Sequence, residues 1–349
     1  MAPHVRAKAA IRLGGKATIL WHAGYMRAIV VRSPGGPEQL VLDEVETPQP
    51  GPGEVRIAVA AAGVNRADIL QRRGFYPPPE GVSDILGLEA SGVVDLVGPG
   101  VAGFEPGDPV VALLAGGGYA EYAVAPAGQC APAPRSMGIV QAGAIMETSA
   151  TVVSNFDHIH VAPGETILIH GGSGGIGSFA IPYAKHLGLR VITTVGSEEK
   201  AARARALGAD VALDYHQDWA EEARRATSGA GVDAILDIIG AKYLEANVSL
   251  LARGGRMTVI GLQGGTKGTL DLNRLLTKAA TITATSLRFR PPSEKAQIVH
   301  EVAERVWPLF ETGQIPLPPI TTFPLAQAGA AHELLDSGDN VGKIVLTVG

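Results

Sequence analysis

The chain of 349 residues contains one cysteine, Cys130. One thiol makes no internal disulfide and no thiolate zinc site. That points to a reducing compartment and excludes a structural zinc of the four-cysteine type. Aromatic residues are scarce at 5%, too few for the stacking platforms that hold single-stranded nucleic acid. Lysine plus arginine number 29 against 34 aspartate plus glutamate, which leaves no basic footprint for DNA or RNA. No apolar run reaches the roughly 18 residues that a membrane span needs. The expected partner is a small molecule, with no nucleic acid and no membrane, and the expected location is cytoplasmic.

Glycine and proline are abundant: 45 and 24 residues, about one position in five. They follow no collagen-like period and alternate with Val, Ile, Leu and Ala runs, as in a turn-rich α/β protein. Hydrophobic residues make up 46% and charged residues 18%, enough apolar material for sizeable cores. The length fits two domains of ordinary size.

Residues 1–25 carry Arg6, Lys8, Arg12 and Lys16 and no acid. The segment lacks the serines of a transit peptide and the apolar stretch of a secretory signal, and Gly14-Gly15 breaks any helix. Met26 is the expected natural start, with 1–25 a mis-assigned or expression-derived extension outside the fold. An organellar presequence is the alternative.

From 26 to about 125, short strands alternate with Gly/Pro turns. The pattern predicts strands at 27–32, 55–62, 91–97, 109–114 and 119–124, and a helix at 65–73, hence a β-barrel-like domain. Beyond residue 145 the pattern changes. Strands at 165–170, 190–195, 211–215, 232–239, 255–261 and 281–286 alternate with helices at 175–187, 197–207, 219–226, 242–252 and about 270–278. Continuous apolar strands separated by helices predict a doubly wound parallel sheet. In the tail, one amphipathic helix (296–310), a proline-rich loop (316–319) and a strand (343–348) are expected. That strand is expected to return to the first domain.

Gly171-Gly172-Ser173-Gly174-Gly175-Ile176-Gly177 follows the 165–170 strand and opens the next helix. Gly172, Gly174 and Gly177 satisfy G-x-G-x-x-G, which lets backbone N–H groups and a helix N-terminus approach a pyrophosphate. The motif alone is weak; between a strand and a helix it is strong. Pro182 is out of place inside that helix. The second strand ends not in Asp or Glu but in Gly196-Ser197-Glu198-Glu199-Lys200. A hydroxyl and an ammonium suit a ribose 2′-phosphate, so NADPH is favoured. Ser197 equally suits a helix cap, and an inward Glu198 or Glu199 would favour NADH.

Several segments together resemble one family: Gly63-Val64-Asn65-Arg66-Ala67-Asp68, Gly87-Leu88-Glu89-Ala90-Ser91-Gly92, Gly116-Gly117-Gly118-Tyr119-Ala120-Glu121-Tyr122, the loop 171–177 and Gly342-Lys343-Ile344-Val345-Leu346. They look like the zeta-crystallin-like quinone oxidoreductases, the zinc-free branch of the medium-chain dehydrogenase/reductase superfamily. The resemblance covers about Met26 to Gly349. It implies a Rossmann doubly wound sheet (150–289) inserted into a GroES-like β-barrel catalytic domain (26–149 and 290–349). It also implies NADPH as hydride donor and a homodimer or homotetramer joined through the 281–286 sheet edge.

Zinc-dependent relatives in that superfamily place Cys where Asn65 stands and His where Leu88 stands. Glu89 alone makes no zinc site, so no metal is expected, and an electron-poor acceptor fits better than an alcohol. By resemblance, Asn65 and Tyr76 lie near the nicotinamide and the substrate carbonyl. The Tyr76 phenol would hydrogen-bond a quinone oxygen and is the candidate proton donor to it. Packing of Tyr76 on its proline-rich loop, and an N-cap role for Asn65, are the structural alternatives. Thr151, Tyr215, Ile239, Gly261, Leu262, Ser286, Leu287 and Lys343 match groove-lining positions of the cofactor, beside Ser173, Gly175 and Ile176 of the loop. Met146, Ser149, Ala150 and Val153 are smaller or more flexible than the family's aromatic residues there, which implies a roomier pocket. His158, His160 and His170 are expected to be structural.

The expected activity is hydride transfer from NADPH to a quinone or an α,β-unsaturated carbonyl compound. A 2-enoyl thioester reductase shares the architecture, with Arg288 and Arg290 as the basic approach for its carrier. A non-enzymatic NADPH-binding sensor or structural protein is the third reading.

Overall fold

The computed structural model describes residues 24–349, together with the backbone pairing of Arg12–Leu13 with Lys16–Ala17. The expectation for 1–25 therefore falls almost wholly outside the described residues. Tyr25, at its end, already opens the first strand.

The first lobe is built from alternating segments. Strands β1 (Tyr25–Val31) and β2 (Leu40–Glu46) form an antiparallel pair. Then come β3 (Glu54–Val64), α1 (Arg66–Arg72), β4 (Glu89–Val97), β5 (Pro109–Leu113), β6 (Tyr122–Pro126) and β7 (Cys130–Pro132). In β3 the odd positions Val55, Ile57 and Val59 are buried while their neighbours are half-exposed, the period of a strand with one face on a core. The expected 119–124 strand starts later, at Tyr122. Tyr119 instead accepts a hydrogen bond from Ile29 N (2.8 Å), and Ala120 bridges Ala28.

Helix α2 (Met146–His158) links the lobes and was not expected. From Met146 to Phe156 every residue except Glu147 is buried. A helix buried all round has no polar face to betray its period. Met146, Ala150 and Val153 point into the core, which corrects their expected place in a roomier cleft.

The second lobe alternates β8 (Thr166–His170), α3 (Gly175–His186), β9 (Arg190–Val195), α4 (Glu198–Ala206), β10 (Val211–Asp214), α5 (Trp219–Ala226), β11 (Val232–Asp237), α6 (Leu244–Leu250), β12 (Leu251–Val259), α7 (Leu272–Lys278) and β13 (Thr281–Ala284). The six strands are parallel in the order β10-β9-β8-β11-β12-β13. This is the doubly wound order, with its reversal between β8 and β11, where ligands bind. Leu251 pairs with Val232 ahead of a bulge. So β12 starts inside the stretch expected to continue the helix. Pro182 stays within α3 with its ring buried.

The tail holds more than expected. The 296–310 helix is split: α8 (Pro292–Arg305) ends, and α9 (Trp307–Glu311) starts again around Pro308, which has no N–H to continue the ladder. Strand β14 (Ile320–Pro324) and α10 (Ala328–Ser337) follow. The last strand, β15 (Lys343–Thr347), pairs antiparallel with β3, Ile344 opposite Val64. The chain end thus returns to the first lobe. Its sheet runs β14-β15-β3-β4-β5-β7, with β6 also on β3. One core cluster, including Leu113, Phe156, Ile169, Phe179, Val302 and Phe310, packs across both lobes.

Candidate active site

The carboxyl ends of the parallel strands share one edge, and every exit carries an expected groove residue. Loop 171–177 follows β8, Ser197 and Lys200 follow β9, and Tyr215 follows β10. Ile239 follows β11, Gly261 and Leu262 follow β12, and Ser286 and Leu287 follow β13. In the loop, a Cβ on Gly172 would collide with Thr193, and one on Gly177 with the carbonyl of Gly171. Glycine there lets strand, loop and helix close up, so the first N–H groups of α3 form an open anion cradle. This geometry fits a dinucleotide. Ser173 O accepts Gly342 N (3.2 Å), and the side chain of Lys343 would lie 2.8 Å from a Cβ on Gly175. The tail therefore sits directly on the loop.

At the second exit, Ser197 caps α4: its Oγ accepts Lys200 N (3.2 Å). Lys200 Nζ donates to Gly338 O (2.7 Å) and is otherwise at the surface. Tyr215 OH closes over Gly196, where no Cβ fits. The three residues are together. Glu198 and Glu199 both turn outward, to Arg205 and Arg203, which removes the inward acid that would favour NADH. At the β11 exit Asp237 accepts Ile239 N (2.7 Å) and Gly240 N (3.1 Å) and is pushed up to about 6 by burial. Gly264 N donates to Ile239 O (2.7 Å), which ties the β11 exit to the β12 exit at Gly261 and Leu262.

Between the lobes lies a buried polar cluster. Lys343 Nζ donates to Asn65 Oδ1 (2.5 Å) and to Glu89 Oε1 (2.7 Å), and Asn65 Nδ2 donates to the same Glu89 oxygen (3.0 Å). Glu147 N donates to Glu89 Oε2 (3.0 Å). Asn65 is the N-cap of α1 in a reciprocal capping box: the Asp68 carboxylate takes Asn65 N (2.7 Å), and the Asn65 side chain faces Asp68 N. The same side chain serves the cap and the cluster. Asp68 also takes Gly87 N and Tyr119 OH, yet burial holds it up at about 6. Glu147 is pushed up to about 7, also by burial, with Lys343 pulling the other way. Thr151 Oγ1 donates to Glu147 Oε1 (3.3 Å) from the next turn of α2.

Tyr76 OH is 2.8 Å from Ser286 Oγ. Its ring lies under the Arg288 guanidinium (5.3 Å) and edge-on to Phe289 (5.3 Å). So the 74–79 loop is fastened across the cleft to the β13 exit, and Tyr76 does more than pack on its own prolines. Burial raises the phenol above its ordinary range. Arg288 is buried, whereas Arg290 contacts Glu294 (3.5 Å). His170 is buried and pushed down to about 4 by burial. It bonds Thr194 and Asn247 and packs on Trp219 and Tyr243, a structural role. His158 contacts Thr283 (2.8 Å).

Two cleft residues were missed. Glu147 is the one charged residue between Arg135 and Asp157, a signal that was available. Lys295 shares the buried stripe of α8 with Ile298, Val299 and Val302; its phase could have shown it.

Two family profiles match: an alcohol dehydrogenase GroES-like domain over residues 51–135 and a zinc-binding dehydrogenase over 175–304. A 2-haloacrylate reductase from a Burkholderia species is 33% identical over 327 residues, 91% of this chain and 98% of its own length. The Escherichia coli quinone oxidoreductase complexed with NADPH superposes with a TM-score of 0.82 at 29% identity, covering 93% of this chain and 99% of that one. A phthioceranic/hydroxyphthioceranic acid synthase of Mycobacterium tuberculosis is 32% identical over 91% of this chain; that match spans only 15% of the synthase.

The fold and the cleft define a medium-chain dehydrogenase/reductase. Within that superfamily the chain belongs to the zinc-free, quinone-oxidoreductase branch, and it is an oxidoreductase. The word zinc in the profile's description does not fit the donors here. Asn65 and Leu88 are not zinc ligands, and Glu89 already holds the Lys343 ammonium. A fixed cation stands beside the one remaining carboxylate.

Proposed function

We propose that this protein transfers a hydride from NADPH to a quinone or an α,β-unsaturated carbonyl compound. The observation that carries this reading is the meeting of an open glycine cradle with a cleft in which Lys343 holds Glu89. When bound, NADPH supplies the hydride. Gly172, Ser173, Gly174, Gly175, Ile176 and Gly177 would hold its pyrophosphate. Ser197, Lys200 and Tyr215 would hold the 2′-phosphate end. Asn65, Thr151, Ile239, Gly261, Leu262, Ser286, Leu287 and Lys343 would line the rest of the groove. Tyr76 would donate a hydrogen bond to the acceptor oxygen, with Ser286 orienting its phenol.

The lobes correspond to 26–149 with 290–349 for the acceptor and 150–289 for the cofactor. A homodimer or homotetramer would form along the β13 edge, where Leu272 and Leu276 of neighbouring α7 are 68% and 77% exposed. The single cysteine, Cys130, is free and buried, which suits a reducing cytoplasm. Among the described residues, no helix is long and apolar enough to cross a membrane.

A 2-enoyl thioester reductase is the second reading, supported by the match to the mycobacterial synthase. Against it, Arg288 is buried in the cleft and offers no surface to a carrier phosphate.

The test is NADPH and NADH oxidation against a panel of quinones, enones and an enoyl-CoA. Turnover of quinones and enones with NADPH is expected. No consumption across the panel would overturn the proposal, and preference for enoyl-CoA would install the second reading.

A further inference from the structure

Two buried cations in the cleft have no anion. Arg288 is 4% exposed and Lys295 is 6% exposed. Arg288 donates Nε to Ala115 O (2.7 Å) and Nη1 to Tyr76 O (3.2 Å), while its Nη2 is buried without a hydrogen-bond partner. Lys295 Nζ has only Arg288 O, at 3.4 Å. Among the described residues no carboxylate lies within ion-pair distance of either. Both cations line one small cleft with Leu88, Leu113, Leu114, Leu287 and Glu147. Burial, and for Lys295 the neighbouring Arg288, lowers both from their ordinary ranges. An unpaired buried charge is costly, and proteins retain one where a ligand completes it. Glu147, pushed up to about 7, is a weak counter-charge. The cleft wall continues directly into Leu287 and Ser286, the residue that holds Tyr76.

We infer that Arg288 and Lys295 recognise a carboxylate, so that the acceptor class includes free α,β-unsaturated carboxylic acids. The apolar walls would take a short chain, and the guanidinium offers a donor to a carboxylate oxygen. This inference rests on the hydride-transfer reading above. The carbon–carbon π bond of the enoate breaks. The hydride drawn from NADPH forms a C–H bond at the β-carbon, and the electron pair moves to the α-carbon and its carboxylate. A proton from water forms the second C–H bond, leaving a saturated acid and NADP⁺. Arg288 would stabilise the charge that grows on the carboxylate in that step.

The test compares crotonate with methyl crotonate, and with a p-quinone, in the full-length protein and in Lys295→Met and Arg288→Lys. Crotonate is expected to exceed its ester in kcat/KM, and that ratio to fall by about 10-fold or more in either variant, the scale of one charge-assisted hydrogen bond. Quinone turnover without a preference for acid over ester, or a ratio unmoved in Lys295→Met, overturns the inference and leaves the oxidoreductase reading standing. Failure with every acceptor defeats the earlier reading instead. Calorimetry then decides the anion site: butyrate should bind the NADPH-loaded protein, and at least 10-fold more weakly in Lys295→Met. Equal binding, or none to either protein, refutes it.

Discussion

Lys343→Met isolates the buried cluster that joins the chain end to the cleft. The substitution keeps most of the side-chain volume and removes the ammonium. Glu89, about 1% exposed at its side chain, then retains only Asn65 Nδ2 and Glu147 N as donors. Removing one partner of a buried ion pair costs about 3–5 kcal/mol, because the other charge stays behind. At roughly 2 °C or more per kcal/mol for domains of this size, the melting temperature should fall by about 6 °C or more. The double variant Lys343→Met/Glu89→Gln removes the stranded charge while leaving a side-chain oxygen for the Glu147 N–H. It should recover about 2 kcal/mol relative to Lys343→Met. Urea unfolding at pH 7.5 on the wild type, both singles and the double gives the coupling directly. A cost below about 1 kcal/mol for Lys343→Met, or a double no more stable than that single, would refute the claim that the pair is a desolvated unit.

Lys200→Glu should raise the KM for NADPH by about 10-fold or more while leaving NADH nearly unchanged; equal effects on both would remove the 2′-phosphate assignment. Tyr76→Phe should lower kcat with a quinone by about 10-fold or more with little change in melting temperature; unchanged kcat would reduce the phenol to a loop fastener. His170 has a folded pKa near 4, below its unfolded value of 6.5. Its contribution is therefore full above pH 6.5 and is lost as pH falls toward 4. The stability advantage of wild type over His170→Gln should shrink by about 3 kcal/mol between pH 7 and pH 4, and a pH-independent difference would contradict the assignment. The proposed homo-oligomer should shift toward monomer in Leu276→Glu, read by sedimentation velocity; an unchanged distribution would refute an interface at β13 and α7.

How far the chain could be deciphered beforehand follows from the range of each signal. Loop 171–177 was legible because strand, glycines and helix are contiguous and each glycine answers a local collision. The parallel sheet was legible because its strands are apolar runs separated by helical periods. Helix α2 was not, since burial on all sides erased the period. The end of the predicted 242–252 helix failed because Leu251 takes its partner from Val232, a choice made by the sheet. At the site, Asn65 and Lys343 stand 278 positions apart, and Glu89 and Lys343 254 apart. No window of local sequence contains either pair. Family resemblance points Asn65 and Lys343 toward the cofactor, but only the folded sheet, with β15 lying on β3, shows that they hold one another.

The cleft contains two sets of buried cations, and their difference is the functional argument. Lys343 is paired: its ammonium meets Asn65 Oδ1 at 2.5 Å and the Glu89 carboxylate at 2.7 Å. A closed set of this kind fixes backbone position and excludes a competing metal from the carboxylate. Arg288 and Lys295 are left open, with carbonyl oxygens for partners and one guanidinium nitrogen with none. Burial penalises both sets alike, and only the first offsets the penalty within the chain. The second set is offset when an anion enters between Leu88, Leu114 and Leu287. Tyr76 lies on the same guanidinium through its ring and its carbonyl. Filling the open site and positioning the phenol over the acceptor therefore draw on one residue. Loss of Arg288 should disturb substrate charge selectivity and Tyr76 placement together, while loss of Lys295 should disturb the first alone.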